Sequence, residues 1–442
     1  MRKGGLSVLD QGLFAGANFV INILLARWLA PNDFGAFTLS YSIFLFLGAF
    51  YLAAFMEPFL IFAAGRYADR FARYFRLVIS WHWLVVTTAA LLVATVAGVL
   101  FVSGHTGQGM ALIGLAVALP FLFQQWFMRT VFYSQVLPAY AAAGSAIFFV
   151  LQVGGIVALH SAGMLRPMSA FMVSGLASGC AGLAMHAMLR TVPRMRAAHG
   201  EVAAADADHP TFRRQVLADH LAYSKWASGV SVIAWLCANV HYFILTATPG
   251  GLAAVGMMKV LDNLLTPFYQ CISALGQFLQ PIVSSHADNP RRMVSKTWLI
   301  AGIWSVIALG AYAFLTIFGE FLLHFLFGPS FVALSGALGV FSLVVFPYAI
   351  SMALMLGCRA KVRTDLVFLY HLLFSVVLTA AYLVASRGSS TSDEVMGIVW
   401  SNLSVRLLFI PVIFALFLRA AYGRPTSTAS VGGAAVPCAN QR

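Results

Sequence analysis

Residues 34–64 read FGAFTLSYSIFLFLGAFYLAAFMEPFLIFAA, and Glu57 is the only charge between Asp33 and Arg66. As a helix rising ~1.5 Å per residue, this run outspans the ~30 Å of hydrocarbon in a bilayer. It shows no alternation over ~10-residue segments, so a membrane strand is excluded. Its interior glutamate is followed at once by Pro58, which predicts a kinked membrane helix carrying a polar group near one end.

The rest of the chain has the same character. Of 442 residues, 61% are hydrophobic and 9% charged, 37 are phenylalanine, and the mean hydropathy is +0.86. A soluble domain carries ~25% charge, so lipid must be the solvent for most of this chain. Arg2 and Lys3 precede an apolar stretch running on to Ala30, too long for a cleavable leader core. The five cysteines, Cys180, Cys237, Cys271, Cys358 and Cys438, form no disulfide pattern and read as small apolar residues. His199, His209 and His220 lack metal-ligand spacing, so no metal is expected. No phosphate-cradling glycine loop, HExxH or nucleophile elbow occurs; the expectation is a protein without cofactor or enzymatic activity.

Hydropathy predicts an all-α polytopic membrane protein with twelve spans, at about 11–30, 36–63, 77–102, 110–133, 140–159, 168–189, 226–247, 252–283, 297–318, 333–357, 367–386 and 396–418. With the N-terminus cytoplasmic, 22 of the 27 lysines and arginines fall in inside segments. Arg27, Arg166 and Arg387 fall outside, and Lys259 and Arg406 lie within spans. The net charge of +13 is therefore a topology signal with both termini cytoplasmic, and gives no support to nucleic-acid binding. The expected organisation is a six-helix lobe (1–189), a cytoplasmic connection (190–225) with a short amphipathic helix near Thr211–Lys225, a second six-helix lobe (226–419) and a disordered tail (420–442).

A weak repeat relates the two halves. FGAFTLSYSI followed by MEPFLIFAAGRYADRF matches VGMMKVLDNL followed by LQPIVSSHADNPRRM, aligning Gly35 with Gly256 and Glu57-Pro58 with Gln280-Pro281. Two lobes related about the membrane normal, with a cleft between them, follow from such a repeat.

Polar residues within spans recur on single helix faces. Helix 1 carries Gln11, Asn18 and Asn22, helix 7 carries Ser224, Ser228, Ser231, Trp235 and Asn239, and helix 12 carries Asn402 and Arg406. Helix 8 carries Lys259, Asn263, Gln270 and Gln277, with Asp262 beside Lys259. Interhelical hydrogen bonding explains any single Asn or Ser. Taken together, stripes on helices 1, 7 and 8 predict a water-filled cleft lined by Asn18, Asn22, Asn239, Asn263, Gln270 and Gln277. Arg406 lies about ten residues from its nearer span end, roughly 15 Å deep, too deep to snorkel. Arg406 and Lys259 point to an anionic group such as a phosphate or acidic sugar. Glu57 and Asp262 are the acids clearly within spans and are candidates for a gate or for ion coupling; Glu57 is expected to pair with a loop arginine.

Three stretches carry a family resemblance: ARWLAPNDFGAFTL (26–39), VGMMKVLDNLLTPFYQCISALGQFLQPIVS (255–284) and FGPSFVALSGALGVFSLVVFPYAISMALMLGCRAKVRTD (327–365). They resemble Wzx-type polysaccharide flippases of the multidrug/oligosaccharidyl-lipid/polysaccharide (MATE-like) superfamily. The resemblance covers the membrane portion through loose motifs. It implies two lobes around an inverted-V cavity and a basic helix 8 position, here Lys259. It also implies movement of undecaprenyl-diphosphate-linked oligosaccharide across a bacterial inner membrane for exopolysaccharide, O-antigen or capsule synthesis, with membrane lipid and a polysaccharide polymerase as partners. A competing pattern, GRYADRFAR (65–73), fits the helix 2–3 loop of major facilitator transporters. A major facilitator or MATE-type small-molecule exporter is therefore the alternative.

Overall fold

The structure, a computed structural model, describes residues 2–191, 210–361, 363–388 and 390–423, apart from the side chains of residues 2–4, Trp226, Ala274, Gln277, Phe278, Pro281 and Thr364. The tail, His199, His209, Cys438 and most of the central connection lie outside the described residues. Among those residues there are helices and no strand.

We number the long helices α1 (Arg2–Trp28), α2 (Pro31–Ala64), α3 (Phe71–Val102), α4 (Thr106–Ser134), α5 (Pro138–Ser161), α6 (Pro167–Leu189), α7 (Pro210–Thr246), α8 (Gly251–Ser284), α9 (Pro290–Leu322), α10 (Pro329–Ala360), α11 (Thr364–Ala385) and α12 (Thr391–Tyr422). Eleven membrane-crossing helices qualify by length and apolarity. The other, α8, is 34 residues long, enough to cross at ~1.5 Å per residue, but carries the polar stripe that starts at Lys259. Each helix covers one predicted span. The ends reach further because hydropathy finds the apolar centre, whereas hydrogen-bonded turns continue into polar sequence. Thus α1 starts at Arg2, and the segment 210–225 is continuous with α7.

Proline sets many of the helix starts. Pro31, Pro138, Pro167 and Pro290 each occupy the first turn, where no amide partner is lost. In the first half α4 packs between α3 and α6, and α1 lies on α5; in the second, α10 packs against α9 and α12, and α11 against α12. Between the halves, α2 meets both α8 and α7.

A buried ionic cluster ties the first lobe together. Asp10, fully buried, accepts from Arg129 Nη2 at 2.7 Å and Nε at 3.3 Å, and from the hydroxyls of Tyr133 and Ser145 at 2.5 Å each. The guanidinium lies 4.1 Å over the ring of Phe14. One carboxylate therefore joins α1, α4 and α5, with the charge pair neutral and its donors used. Both ends depart from the sequence reading, which began span 1 at residue 11 and counted Arg129, close to the end of span 4, among the cytoplasmic basic residues. Asp10 joins Glu57 and Asp262 as an acid within a span.

Removing the acid leaves Arg129 as an uncompensated buried cation. Asp10→Asn should lose about 3–5 kcal/mol, read as a lower melting temperature of the purified protein, and adding Arg129→Met should recover part of the loss. An Asp10→Asn protein that melts like the parent would refute this role.

Candidate functional site

The C-terminal part of α2 is built around Pro58. A five-residue π-helical turn, Leu52–Met56, precedes it, the usual accommodation of an irregularity inside a helix. Proline has no amide hydrogen, so the Ala54 carbonyl four residues earlier loses its helical donor. The hydroxyl of Ser224 on α7 lies 3.1 Å from that carbonyl and 2.6 Å from the His220 carbonyl one turn back on its own helix, so the two share its single proton. Next to it, Tyr223 donates to Glu57 Oε2 at 3.1 Å. Glu57 thus takes a tyrosine from α7 where a loop arginine was expected; Arg66 pairs instead with Asp219 at 2.6 Å. Tyr67 donates to the other Asp219 oxygen at 2.5 Å, and burial together with that carboxylate pushes its hydroxyl well above the usual tyrosine range.

At the opposite end, α2 and α8 cross at the two repeat-related glycines. A methyl group on Gly35 would overlap the Leu252 carbonyl, and one on Gly256 would lie 3.0 Å from the Pro31 carbonyl and 3.4 Å from the Gly35 nitrogen. Only glycine permits this approach. Deeper along α8, Lys259 Nζ sits 5.6 Å from the ring of Tyr41 on α2. Three residues on, Asp262 Oδ2 meets His241 Nε2 at 3.2 Å and accepts from Tyr242 at 2.5 Å.

Arg406 opens into a cavity of about 310 Å³ within the second lobe. Its walls come from α7 (Ala234, Cys237, Ala238), α10 (Tyr348, Arg359), α11 (Tyr370, His371, Phe374) and α12. The Arg406 Nε donates to Asn402 at 2.7 Å, and the guanidinium carbon lies 5.5 Å from the Tyr348 ring and 5.2 Å from Phe374. Two arginines share the space, and no carboxylate is among the described lining residues. Such a lining stabilises an anion, while the ring faces offer stacking surface for a sugar.

The remaining predicted residues are dispersed. Asn18 and Asn22 donate to the carbonyls of Phe14 and Asn18 on their own helix. Both border a cavity of about 30 Å³ inside the first lobe, with Gln125, Gln152 and Ser174, a space for a water or two and not for a sugar. Asn239 donates to the Trp235 carbonyl, Asn263 is buried, and Gln270 is exposed. The Gln277 side chain lies outside the described residues. The structure thus gathers Arg406 with aromatic side chains and Lys259 with Tyr41, but puts the α1 stripe in another cavity.

Sequence reasoning missed Asp219, Tyr223 and His241, whose partners are remote in sequence. It also missed Glu394, which is fully buried and accepts from Thr248 (2.7 Å) and the Gly250 amide, fastening the α7–α8 turn to α12. Acid near a span end was the available signal for Glu394; nothing local marks the others.

Comparison with known proteins places this geometry. The profile of a family described as polysaccharide biosynthesis protein matches residues 24–335. No curated protein matches the chain in sequence. Among solved structures, the chain is similar to an inward-facing multidrug resistance MATE family transporter of the MOP superfamily, with TM-score 0.74 and 13% identity over 94% of this chain and 98% of that one. It is similar to the lipid II flippase MurJ in an inward closed conformation, with TM-score 0.66 and 12% identity over 94% and 90%. A MOP superfamily transporter from Pyrococcus furiosus gives TM-score 0.63 and 10% identity, with 94% of each chain covered.

The Pro58–Ser224 pairing gives a double-mutant cycle. Ser224→Ala alone should destabilise the protein by about 0.5–1 kcal/mol, since the half-buried Ala54 carbonyl loses a shared donor. In a Pro58→Ala background, where residue 58 regains its amide, the same change should cost little. Equal melting shifts in both backgrounds would sink the assignment.

Proposed function

Because the chain belongs to the polysaccharide biosynthesis protein family, and its fold is that of MOP-superfamily transporters, we propose that this multi-pass membrane protein is a flippase for lipid-linked oligosaccharide. The substrate is an undecaprenyl-diphosphate-linked glycan, moved from the inner to the outer leaflet of a bacterial inner membrane for surface-polysaccharide assembly. The observation that carries this reading is the second-lobe cavity, with Arg406 and Arg359 set among aromatic faces and no carboxylate among its described lining residues. A diphosphate or acidic sugar supplies the missing negative charge.

The route is alternating access. The cavity takes the polar head from the cytoplasmic side, where both chain termini lie, and the polyprenyl tail stays in lipid. Lys259 supplies a second cationic position at the α2–α8 crossing, and Asp262, held by His241 and Tyr242, is the acid available for ion coupling. Glu57 serves as an inner gate through Tyr223. The polar side chains of Asn239, Asn263, Gln270 and Gln277 offer sugar hydrogen bonds during passage, and a polysaccharide polymerase receives the product.

A MATE-type exporter of small molecules is the second reading, favoured by the overlay on a multidrug transporter. The sign of the charge weighs against a cationic drug, which calls for carboxylates in the cavity. The major facilitator alternative rested on one loop pattern, and the likeness of the fold to MOP-superfamily transporters leaves it without structural support.

Arg406→Ala should abolish surface polysaccharide at normal protein level, and Arg406→Lys should retain part of it, because a point charge replaces a two-pronged donor. Wild-type export by Arg406→Ala would remove this residue from the site. Deletion of the protein should trap lipid-linked oligosaccharide on the cytoplasmic leaflet. Unchanged polysaccharide with raised drug sensitivity would favour the exporter.

A further inference from the structure

α7 has contacts in both lobes, and they change over at one point. Towards its start, Asp219 is held by Arg66 and Tyr67, His220 lies 2.7 Å from the Tyr74 hydroxyl, and Ser224 Oγ lies 3.1 Å from the Ala54 carbonyl. Trp235 Nε1 then donates to the Ser42 carbonyl on α2 at 3.0 Å, with its ring 4.8 Å from Phe46. All of these partners belong to the first lobe. From Cys237 onward the described side-chain partners are in the second: Cys237 Sγ meets the His371 carbonyl at 3.8 Å, and His241 and Tyr242 hold Asp262. The changeover coincides with Ala234, Cys237 and Ala238, which form one wall of the Arg406 cavity.

We propose that Trp235 is a positioning residue that fixes this wall to α2, so that α7 acts as a strap through which first-lobe movement reshapes the anion cavity. The proposal rests on the reading of that cavity given above. Flexibility is available between the two anchorages. Ala227, Ser228 and Gly229 are small, and Gly229 has no atom within 4 Å of where a Cβ would stand, so neighbours do not stiffen a residue that is itself a poor helix former. That stretch separates the inner ties from Trp235 within the first-lobe part of α7. If the lobes rock, a helix clamped to both must yield where its partners change over, between Trp235 and Cys237, and the residue that determines which lobe carries the cavity wall is Trp235.

The native Cys237 reports directly on the wall. In the full chain, Cys180, Cys271, Cys358 and Cys438 are replaced by serine, and the rate of maleimide labelling of Cys237 is measured in membrane vesicles without added anion. Trp235→Phe keeps a ring against Phe46 but deletes the donor to Ser42; Asp219→Ala releases the inner anchorage. Both should change the labelling rate in the same sense by about fivefold or more, the lower end of coupling between sites. Arg363→Ala, which breaks an exposed pair with Asp365 and none of the ties named for α7, should leave the rate unchanged. Equal rates in all variants overturn the proposal. So does parallel acceleration in a matched chain keeping only the buried Cys358, which marks general loosening. Inorganic diphosphate is added in a separate arm. Protection of Cys237 by it tests the cavity as an anion site, so that reading and the strap can fail independently.

Discussion

Gly35 and Gly256 pack backbone against backbone, and no side chain larger than hydrogen fits at Gly35 beside the Leu252 carbonyl. These two glycines are also equivalent positions of the two sequence halves. Residues related by a two-fold axis touch one another only where they sit on it, so the crossing of α2 and α8 marks the pseudo-symmetry axis of the molecule. A second link at the same end, Arg27 Nη1 to the Phe325 carbonyl at 2.7 Å, joins the lobes again. The two halves are therefore pinned at this end, and the helices that make the pin also carry Pro58, the π-turn and Lys259.

Lipid imposes the next constraint, because a polar group without water must find its partner within the protein. The acids obey it. Asp10 is saturated by Arg129, Tyr133 and Ser145, Asp262 by His241 and Tyr242, and Glu394 by Thr248 and the Gly250 amide. Among the described residues, Lys259 and Arg406 have ring faces in place of carboxylates. A cation over an aromatic face gains about 0.5–2 kcal/mol, far less than a buried charge needs. For Arg406 the balance is left to Asn402 and to water, or to the anion proposed for the cavity.

The helices and the duplicated glycine and proline were legible from hydropathy and spacing, since a membrane helix is determined by its own residues. Partners were not. Glu57 stands nine residues before Arg66 in sequence, which suggested an ion pair, but its tyrosine is supplied by α7. Periodicity likewise put Asn18 and Asn22 on one face of α1 without saying whether the face looks into the cleft or into the lobe. Asp10 escaped because the apolar window opened at residue 11, one position past the carboxylate that organises the lobe. Arg406 was legible because its depth in an apolar run needs no partner to be unusual.

The symmetry of the two proline hinges stops at their hydrogen bonds. In the first half the carbonyl freed by Pro58 lies 3.1 Å from the Ser224 hydroxyl, whose proton it shares with the His220 carbonyl in the other half of the chain. In the second half Gln280, beside Pro281, donates to the Leu356 carbonyl at 3.2 Å, on α10 of its own lobe. The polar residue beside Pro58, Glu57, likewise reaches α7 through Tyr223, whereas its counterpart Gln280 reaches only its own lobe. Two identical hinges would let either lobe bend without reference to its partner. The contacts of Glu57 and Ala54 couple the C-terminal part of α2 to the start of α7, on the first-lobe side of the cavity that holds Arg406.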